Sequence, residues 1–277
     1  MTLGVPLAGS GPLIDIHAHF FFDGCGRGEW SALNAARFRA GERIGISCHV
    51  ASILGSWGRW SPTYFASPSD TTLGNDAMCA IATTHADRVR WYVAVNPNDT
   101  AYAMAEIDRC VAAGAIGVKL AAARRADDPL LDPICAAALQ HGVPILQHIW
   151  QHRRRDWPGQ EASDALELCA LARRHPKVNF ILAHIGGGGD WLHSLHAVRG
   201  VANVYVDLSG SGVDGGMLES CLDAVGPGRM LWGADITLDT GLAKLRYLTW
   251  LLSTEQIERI RWRNAAGIFP RDSFGAA

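Results

Sequence analysis

Apolar residues fall in short runs along this chain, and each run ends in polar or small residues. The runs are LIDIHAHF (13–20), ISCHVASIL (46–54), VRWYVAVNP (89–97), AIGVKLA (115–121), VPILQHI (143–149), VNFILAHIG (178–186), NVYVDLSG (203–210) and RMLWGADIT (229–237). They are apolar at most positions instead of strictly alternating, which predicts strands buried on both faces. Between them lie segments of helical period: 100–114, 130–142, 161–175 and 215–226. In the first of these Ala103, Ile107, Cys110 and Val111 share one face, and Gly114 is placed to end the helix. Other helices stop at Gly142-Val-Pro144, His175-Pro176 or Gly226-Pro-Gly228, just before the next strand.

From the first strand start to the last, the mean step is about 31 residues, the size of a βαβ unit. Eight such units in 277 residues predict one (β/α)8 TIM barrel, slightly elaborated, spanning 1–277 as a single domain. A doubly wound open sheet is the other arrangement of eight parallel strands. It would carry a Gly-rich nucleotide loop after its first strand, and the residues after Phe20 do not form one. The longest irregular stretch, 55–72, holds Trp57, Trp60, Tyr64 and Phe65 and reads as a loop over the barrel mouth.

In this architecture chemistry sits at the C-terminal ends of the strands. There the pattern breaks. Strand 1 ends in His17 and His19, strand 4 in Lys119, strand 5 in His148, strand 6 in His184 and strand 8 in Asp235. A buried polar group without a partner costs roughly 1–3 kcal/mol, so a core would not collect this set without something to satisfy it. A divalent metal does so, and imidazoles with a carboxylate suit Zn²⁺ first and Mn²⁺ as the other fit.

Composition narrows the partners. Twenty-five basic and 27 acidic residues give a formal charge of −2, which offers no footprint for nucleic acid or an anionic membrane. The expected partner is a small molecule. Seven separated cysteines with no CxxC pair, and no secretory leader before Leu13, read as reduced buried thiols of a cytoplasmic protein. Pairing of two barrels through their outer helices, as a homodimer, is compatible with the sequence but not compelled by it.

The order of the polar residues, with the wording IDIHAHF, GVPILQHIW, VNFILAHIGG, NVYVDLSG, MLWGADIT and RWRNAAGIF, resembles the amidohydrolase superfamily. The similarity is to its amidohydrolase-related branch of metal-dependent hydrolases and decarboxylases, and it runs from Leu13 to Phe269. The resemblance implies that His17, His19, His148 and Asp235 hold one metal, and that Asp235 takes the proton of a metal-bound water. It makes His184 an acid or base, or a ligand of a second ion. Lys119 stands where binuclear members carry a carboxylated, metal-bridging lysine; otherwise it binds a substrate carboxylate or sits in a structural ion pair.

Candidate substrate contacts are Trp150 beside the strand 5 end, Arg124 and Arg125 after strand 4, Arg153 to Arg155 after strand 5, and Arg59 in the long loop. Asp207 and Ser209 face the mouth from strand 7, either lining the pocket or bonded to a metal-bound histidine. Asp15 shares a face with His17, deeper in the barrel. Asn75 reads as a helix cap. IGGGGD (185–190) is either an anion cradle or a turn that brings His184 into the site. The leading functional expectation is a metal-dependent hydrolase opening a lactone, ester or amide with metal-activated water. The alternative is a nonoxidative decarboxylase or hydratase of an unsaturated or aromatic acid, which needs a cationic partner for the carboxylate. A purely structural metal would instead require a closed four-ligand site.

Overall fold

The computed structural model describes residues 11–25, 28–54, 68–121, 123–151 and 163–275. Eight strands form one parallel sheet: β1 (Ile14–His19), β2 (Cys48–Ser52), β3 (Val89–Val95), β4 (Gly117–Leu120), β5 (Ile145–Gln147), β6 (Phe180–Leu182), β7 (Val204–Asp207) and β8 (Met230–Leu231). Each strand pairs with the next in chain order. The two edges then meet. Ile16 N–H donates to Trp232 O at 3.1 Å, Asp235 N–H donates to His17 O at 2.6 Å, and Ala18 bridges to Asp235 in parallel register. The protein is a TIM barrel.

Outside the strands pack α1 (Trp30–Ile44), α2 (Pro68–Thr84), α3 (Thr100–Ala112), α4 (Asp132–His141), α5 (Ala165–Arg174), α6 (Trp191–Val198), α7 (Met217–Val225) and α8 (Leu238–Leu251). The chain then runs through α9 (Thr254–Glu258) and a wide turn at Arg259–Arg263 into α10 (Asn264–Ile268). Side chains pointing into the barrel, among them Ile14, Ile16, Val50, Tyr92, Leu146, Ile181 and Leu231, form one apolar cluster. Ala265, Ile268 and Phe269 join that cluster, so the C-terminal helix packs on the barrel interior. Outward side chains such as Val118, Leu120, Phe180, Leu182 and Val206 form the larger layer against the helices. All seven cysteines are free, and all but Cys79 are buried. No helix among the described residues is long and apolar enough to cross a membrane.

Most differences from the sequence reading lie at the strand ends. The strands are shorter than the apolar runs because the polar ends leave strand geometry: His184 and Asp235 adopt φ of 40° and 53°. In β1 the pairing with β2 slips between Asp15 and Ala18, three residues passing opposite two. This bulge reverses the face on which later side chains lie. Ile14 and Ile16 fill the barrel interior, whereas Ala18 and Phe20 pack in the outer layer and leave His17 and His19 for the mouth. Asp15 therefore does not lie beneath His17 as the period-two reading implied; its carboxylate meets Arg37 of α1 and His49 of β2.

Most of the expected loop 55–72 lies outside the described residues, but α2 already begins at Pro68. Asn75 is consequently inside that helix and caps nothing. Its side chain donates to Ala94 O and Glu106 Oε1 and accepts from Ala94 N–H, tying α2 to β3 and α3.

Candidate metal centre

His17 and His19 come from β1, and their ring centroids stand 5.2 Å apart at the mouth. Both imidazoles are fixed by what their Nδ1 atoms touch. His17 Nδ1 lies 2.7 Å from Asp207 Oδ2, and His19 Nδ1 lies 3.1 Å from the main-chain oxygen of Ser52. A carboxylate and a carbonyl only accept, so each Nδ1 carries the proton and each Nε2 presents a lone pair. Burial, reinforced for both by the Lys119 charge and for His19 also by His17, pushes both histidines well below their ordinary pKa, which keeps the rings neutral.

The lone pair of His19 Nε2 faces Asp235 Oδ1 at 3.4 Å. Potential ligand atoms of His17, His19 and Asp235 all lie within 4.8 Å of one another. Three inward-facing acceptors on two buried residues and one quarter-exposed one repel each other unless a cation or proton lies between them. This is the donor set and the tautomer arrangement that a divalent transition metal requires. The residues present fit such an ion.

Asp235 reaches this place through an unusual backbone conformation. Gly233 precedes it where β8 presses on the site: a Cβ there would come within 2.4 Å of Asp207 Oδ1 and 2.9 Å of His17 Cβ. Burial raises the Asp235 carboxyl to about 6, and nearby Lys119 opposes that rise.

Asp207, expected to line the pocket or support a histidine, does the second. It is fully buried and unavailable to substrate. Oδ2 accepts from His17 Nδ1, from His184 N–H at 3.0 Å and from Ser209 Oγ at 2.5 Å; Oδ1 accepts from Ser209 N–H at 2.9 Å. One carboxylate thus fixes the tautomer of His17, the backbone of His184 and the start of the loop after β7.

His184 follows β6 and stacks on His17 with centroids 5.7 Å apart. Its Nε2 lies 3.0 Å from His148 Nδ1, so His148, expected as the fourth ligand, pairs with His184 in this structure. Trp150, expected as a pocket wall at the β5 end, is buried edge-on against His148, centroids 4.0 Å apart. The left-handed turn at His184 is what brings this side chain back to the mouth.

The glycine run resolves as a turn. Gly186 N–H donates to Ser209 O and Gly187 N–H to His184 O, so those amides are spent on carbonyls. A Cβ on Gly186 would stand 2.4 Å from Lys244 Nζ and 2.9 Å from two main-chain oxygens. Asp190 caps α6 by accepting from His193 N–H.

Lys119 is 1% exposed and donates from Nζ to His17 Nε2 at 3.0 Å. Burial lowers it to about 8, with Asp235 and Asp207 opposing the shift, so it remains largely an ammonium at neutral pH. Arg124, expected at a substrate carboxylate, is ion-paired to Asp128 four residues on, at 2.5 Å. Arg125 pairs with Glu167. Arg124 is thus paired within its own loop and Arg125 with a carboxylate of α5. Arg59 and Arg153 to Arg155 lie outside the described residues.

Three buried residues were missed in the sequence. Arg37 bonds both Asp15 and the main-chain oxygen of Asp235. Lys244 donates to Gly210 O and Ser209 O behind the site. Gln151 donates to the carbonyls of His184 and Ile185. Arg37 had a signal: it shares the face of Leu33, Gly41 and Ile44, a cation on the stripe that α1 turns to the barrel.

The amidohydrolase family profile matches residues 14–271, and the chain belongs to that family. No curated protein sequence matches it significantly. Among solved structures it resembles 5-carboxyvanillate decarboxylase from Sphingomonas paucimobilis, at 17% identity and TM-score 0.71, over 93% of this chain and 98% of that one. It is also similar to 2,6-dihydroxybenzoate decarboxylase from Rhizobium, at 17% identity and TM-score 0.70 over the same shares. A third is dihydroxybenzoic acid decarboxylase from Polaromonas sp. JS666 with bound manganese and the inhibitor 2-nitroresorcinol, at 18% identity and TM-score 0.70, over 93% and 96%. At such identities the likeness establishes the shared barrel.

Proposed function

We propose that this amidohydrolase-family protein is a metal-dependent, nonoxidative decarboxylase of a small aromatic or unsaturated carboxylic acid. The observation that carries the reading is Lys119, a buried ammonium 3.0 Å from the His17 ring of the candidate centre. A decarboxylase needs a cation for the substrate carboxylate, and no loop arginine in the sequence identified one; Lys119 stands at the site itself. The similarity to three decarboxylases of aromatic acids favours this reading over hydrolysis of a lactone, ester or amide.

His17, His19 and Asp235 would hold the ion, with His148 the fourth ligand that the family resemblance assigns. A divalent metal, manganese as in the Polaromonas structure or zinc, would supply positive charge that polarises a substrate oxygen. The protein's own groups do the rest. Trp150 and His148 offer ring faces and edges to a planar substrate. Lys119 Nζ donates to the His17 Nε2 lone pair that an ion would take, so with the ion held there its ammonium donors would be free for a carboxylate. Asp235 carries a proton to the carbon bearing the carboxylate. As that C–H bond forms, the C–C bond to the carboxylate breaks, its electron pair returns to the substrate, and neutral CO₂ leaves. Solvent then restores the proton to Asp235.

Two measurements test this. Hydroxylated benzoates, other unsaturated acids, lactones and N-acyl compounds are incubated with metal-loaded protein in D₂O. The expected result is CO₂ release with one deuterium placed on the carbon that lost it. Ring opening or deacylation without CO₂ would overturn the reading in favour of hydrolysis. For Lys119→Met, loss of a charged hydrogen bond of about 1.5–3 kcal/mol predicts a KM roughly 10- to 100-fold higher for the carboxylated substrate. An unchanged KM would remove Lys119 from carboxylate binding.

A further inference from the structure

The barrel closes where β1 meets the segment after β8, and the candidate metal centre straddles that seam. His17 and His19 stand on one side of it and Asp235 on the other. One carboxylate and one guanidinium span it from behind. Asp15 Oδ1 accepts from Ala234 N–H at 2.9 Å and from His17 N–H at 3.3 Å, bonding both sides. Asp15 Oδ2 accepts from Arg37 Nη2 at 2.7 Å and from His49 Nδ1 at 2.9 Å. Arg37 Nη1 then donates to the main-chain oxygen of Asp235 at 2.6 Å.

We infer that Arg37, a residue of helix α1, is a positioning residue of the metal centre: it holds Asp235 in its left-handed conformation and at its distance from His17 and His19. The inference rests on the proposed function in so far as that reading places a metal between these residues.

The energetics favour a local role. A non-glycine residue at φ of 53° costs of order 1–3 kcal/mol and persists only where its surroundings over-determine it. At Asp235 the N–H donates to His17 O at 2.6 Å within the bridge to Ala18, and the C=O accepts from Arg37. Without Arg37 the carbonyl loses its charged donor and the peptide is free to relax, carrying the carboxylate away from His19. Arg37 itself is 8% exposed and paired with a fully buried carboxylate. The far side of Asp15 is held by His49, which lies edge-on to Phe20 and Phe38. A planar fork with two donors meets two acceptors about the seam, a geometry lysine cannot reproduce.

Arg37→Met, Arg37→Lys and, as a control remote from the mouth, Arg109→Met are compared with wild type. Arg109 pairs with Glu106 and Asp76. Calorimetric titration of the metal-free proteins with Mn²⁺ gives Kd, and the visible spectrum of the Co²⁺ forms reports ligand geometry. The expected result is Mn²⁺ binding about 10- to 100-fold weaker in Arg37→Met with an altered Co²⁺ spectrum. Arg37→Lys should be intermediate, and Arg109→Met should match wild type whatever its Tm. Arg37→Met binding within twofold of wild type with an unchanged spectrum overturns the inference. If Arg37→Met does not fold, Arg37→Lys decides on the same criteria, a severalfold weaker Kd supporting the inference and an unchanged one overturning it. Wild type binding neither ion would overturn the proposed function as well, an outcome distinct from wild type and variants binding alike.

Discussion

Replacing both β1 histidines, His17→Ala with His19→Ala, is expected to remove the bound divalent metal and turnover together while leaving the barrel folded. Wild type purified with manganese or zinc should hold about one equivalent, and the double variant background levels, by elemental analysis. Two of the three clustered donors are lost, and Asp235 is left with only His148, whose Nδ1 pairs with His184, as a weak remaining pair of ligands. The fold should survive because the groups behind the histidines stay satisfied. Asp207 loses the His17 bond but keeps those from His184 N–H, Ser209 N–H and Ser209 Oγ. Ser52 O loses only a side-chain donor, and the β1 and β2 ladder is untouched. Circular dichroism should therefore show native helix content with a stability loss of about 1–3 kcal/mol. Retention of stoichiometric metal in the double variant would sink the assignment of the centre.

The fold and half of the site were legible for the same reason. A strand buried on both faces reads as a nearly unbroken apolar run, so His17, His19, Lys119, His148, His184 and Asp235 stand out as breaks in it. What could not be read was where the backbone departs from regular geometry. The β1 bulge moves Asp15 off the face of His17, and a period-two count has no way to register an inserted residue. The left-handed residues at His184 and Asp235 end β6 and β8 early and re-aim two side chains.

Support from outside the strands was hidden for another reason. Arg37 acts from a helix nearly two hundred residues from Asp235 in sequence, and only the closed barrel brings them together. The loop arginines misled in the opposite direction. Arg124 and Arg125 are near a strand end in sequence, but Asp128 and Glu167 neutralise them within the neighbouring loop and helix. Proximity to the mouth along the chain does not make a charge available to it.

Asp235→Asn separates metal binding from proton transfer. Asparagine tolerates φ of 53° better than most residues and keeps an oxygen where the carboxylate had one, and the bonds from Arg37 and to His17 use the main chain. The variant should fold and retain metal, yet turn over about 10²–10⁴-fold more slowly, since it has no proton to deliver. Undiminished turnover would take Asp235 out of the chemistry. The metal-free variant should also be the more stable protein at neutral pH. In the fold this carboxyl is raised to about 6 from an ordinary 3.8, so ionising it costs more in the native state than in the unfolded chain. That cost is in force above about pH 6, fades as pH falls, and is gone below about pH 4. Its ceiling is ~3 kcal/mol, trimmed by water at a side chain that is 26% exposed. Melting of the two metal-free proteins should thus diverge at pH 8, with Asp235→Asn higher, and converge near pH 4. Equal melting at both would show that Asp235 carries no strain of charge in the empty centre, and that its position there is set by the backbone alone.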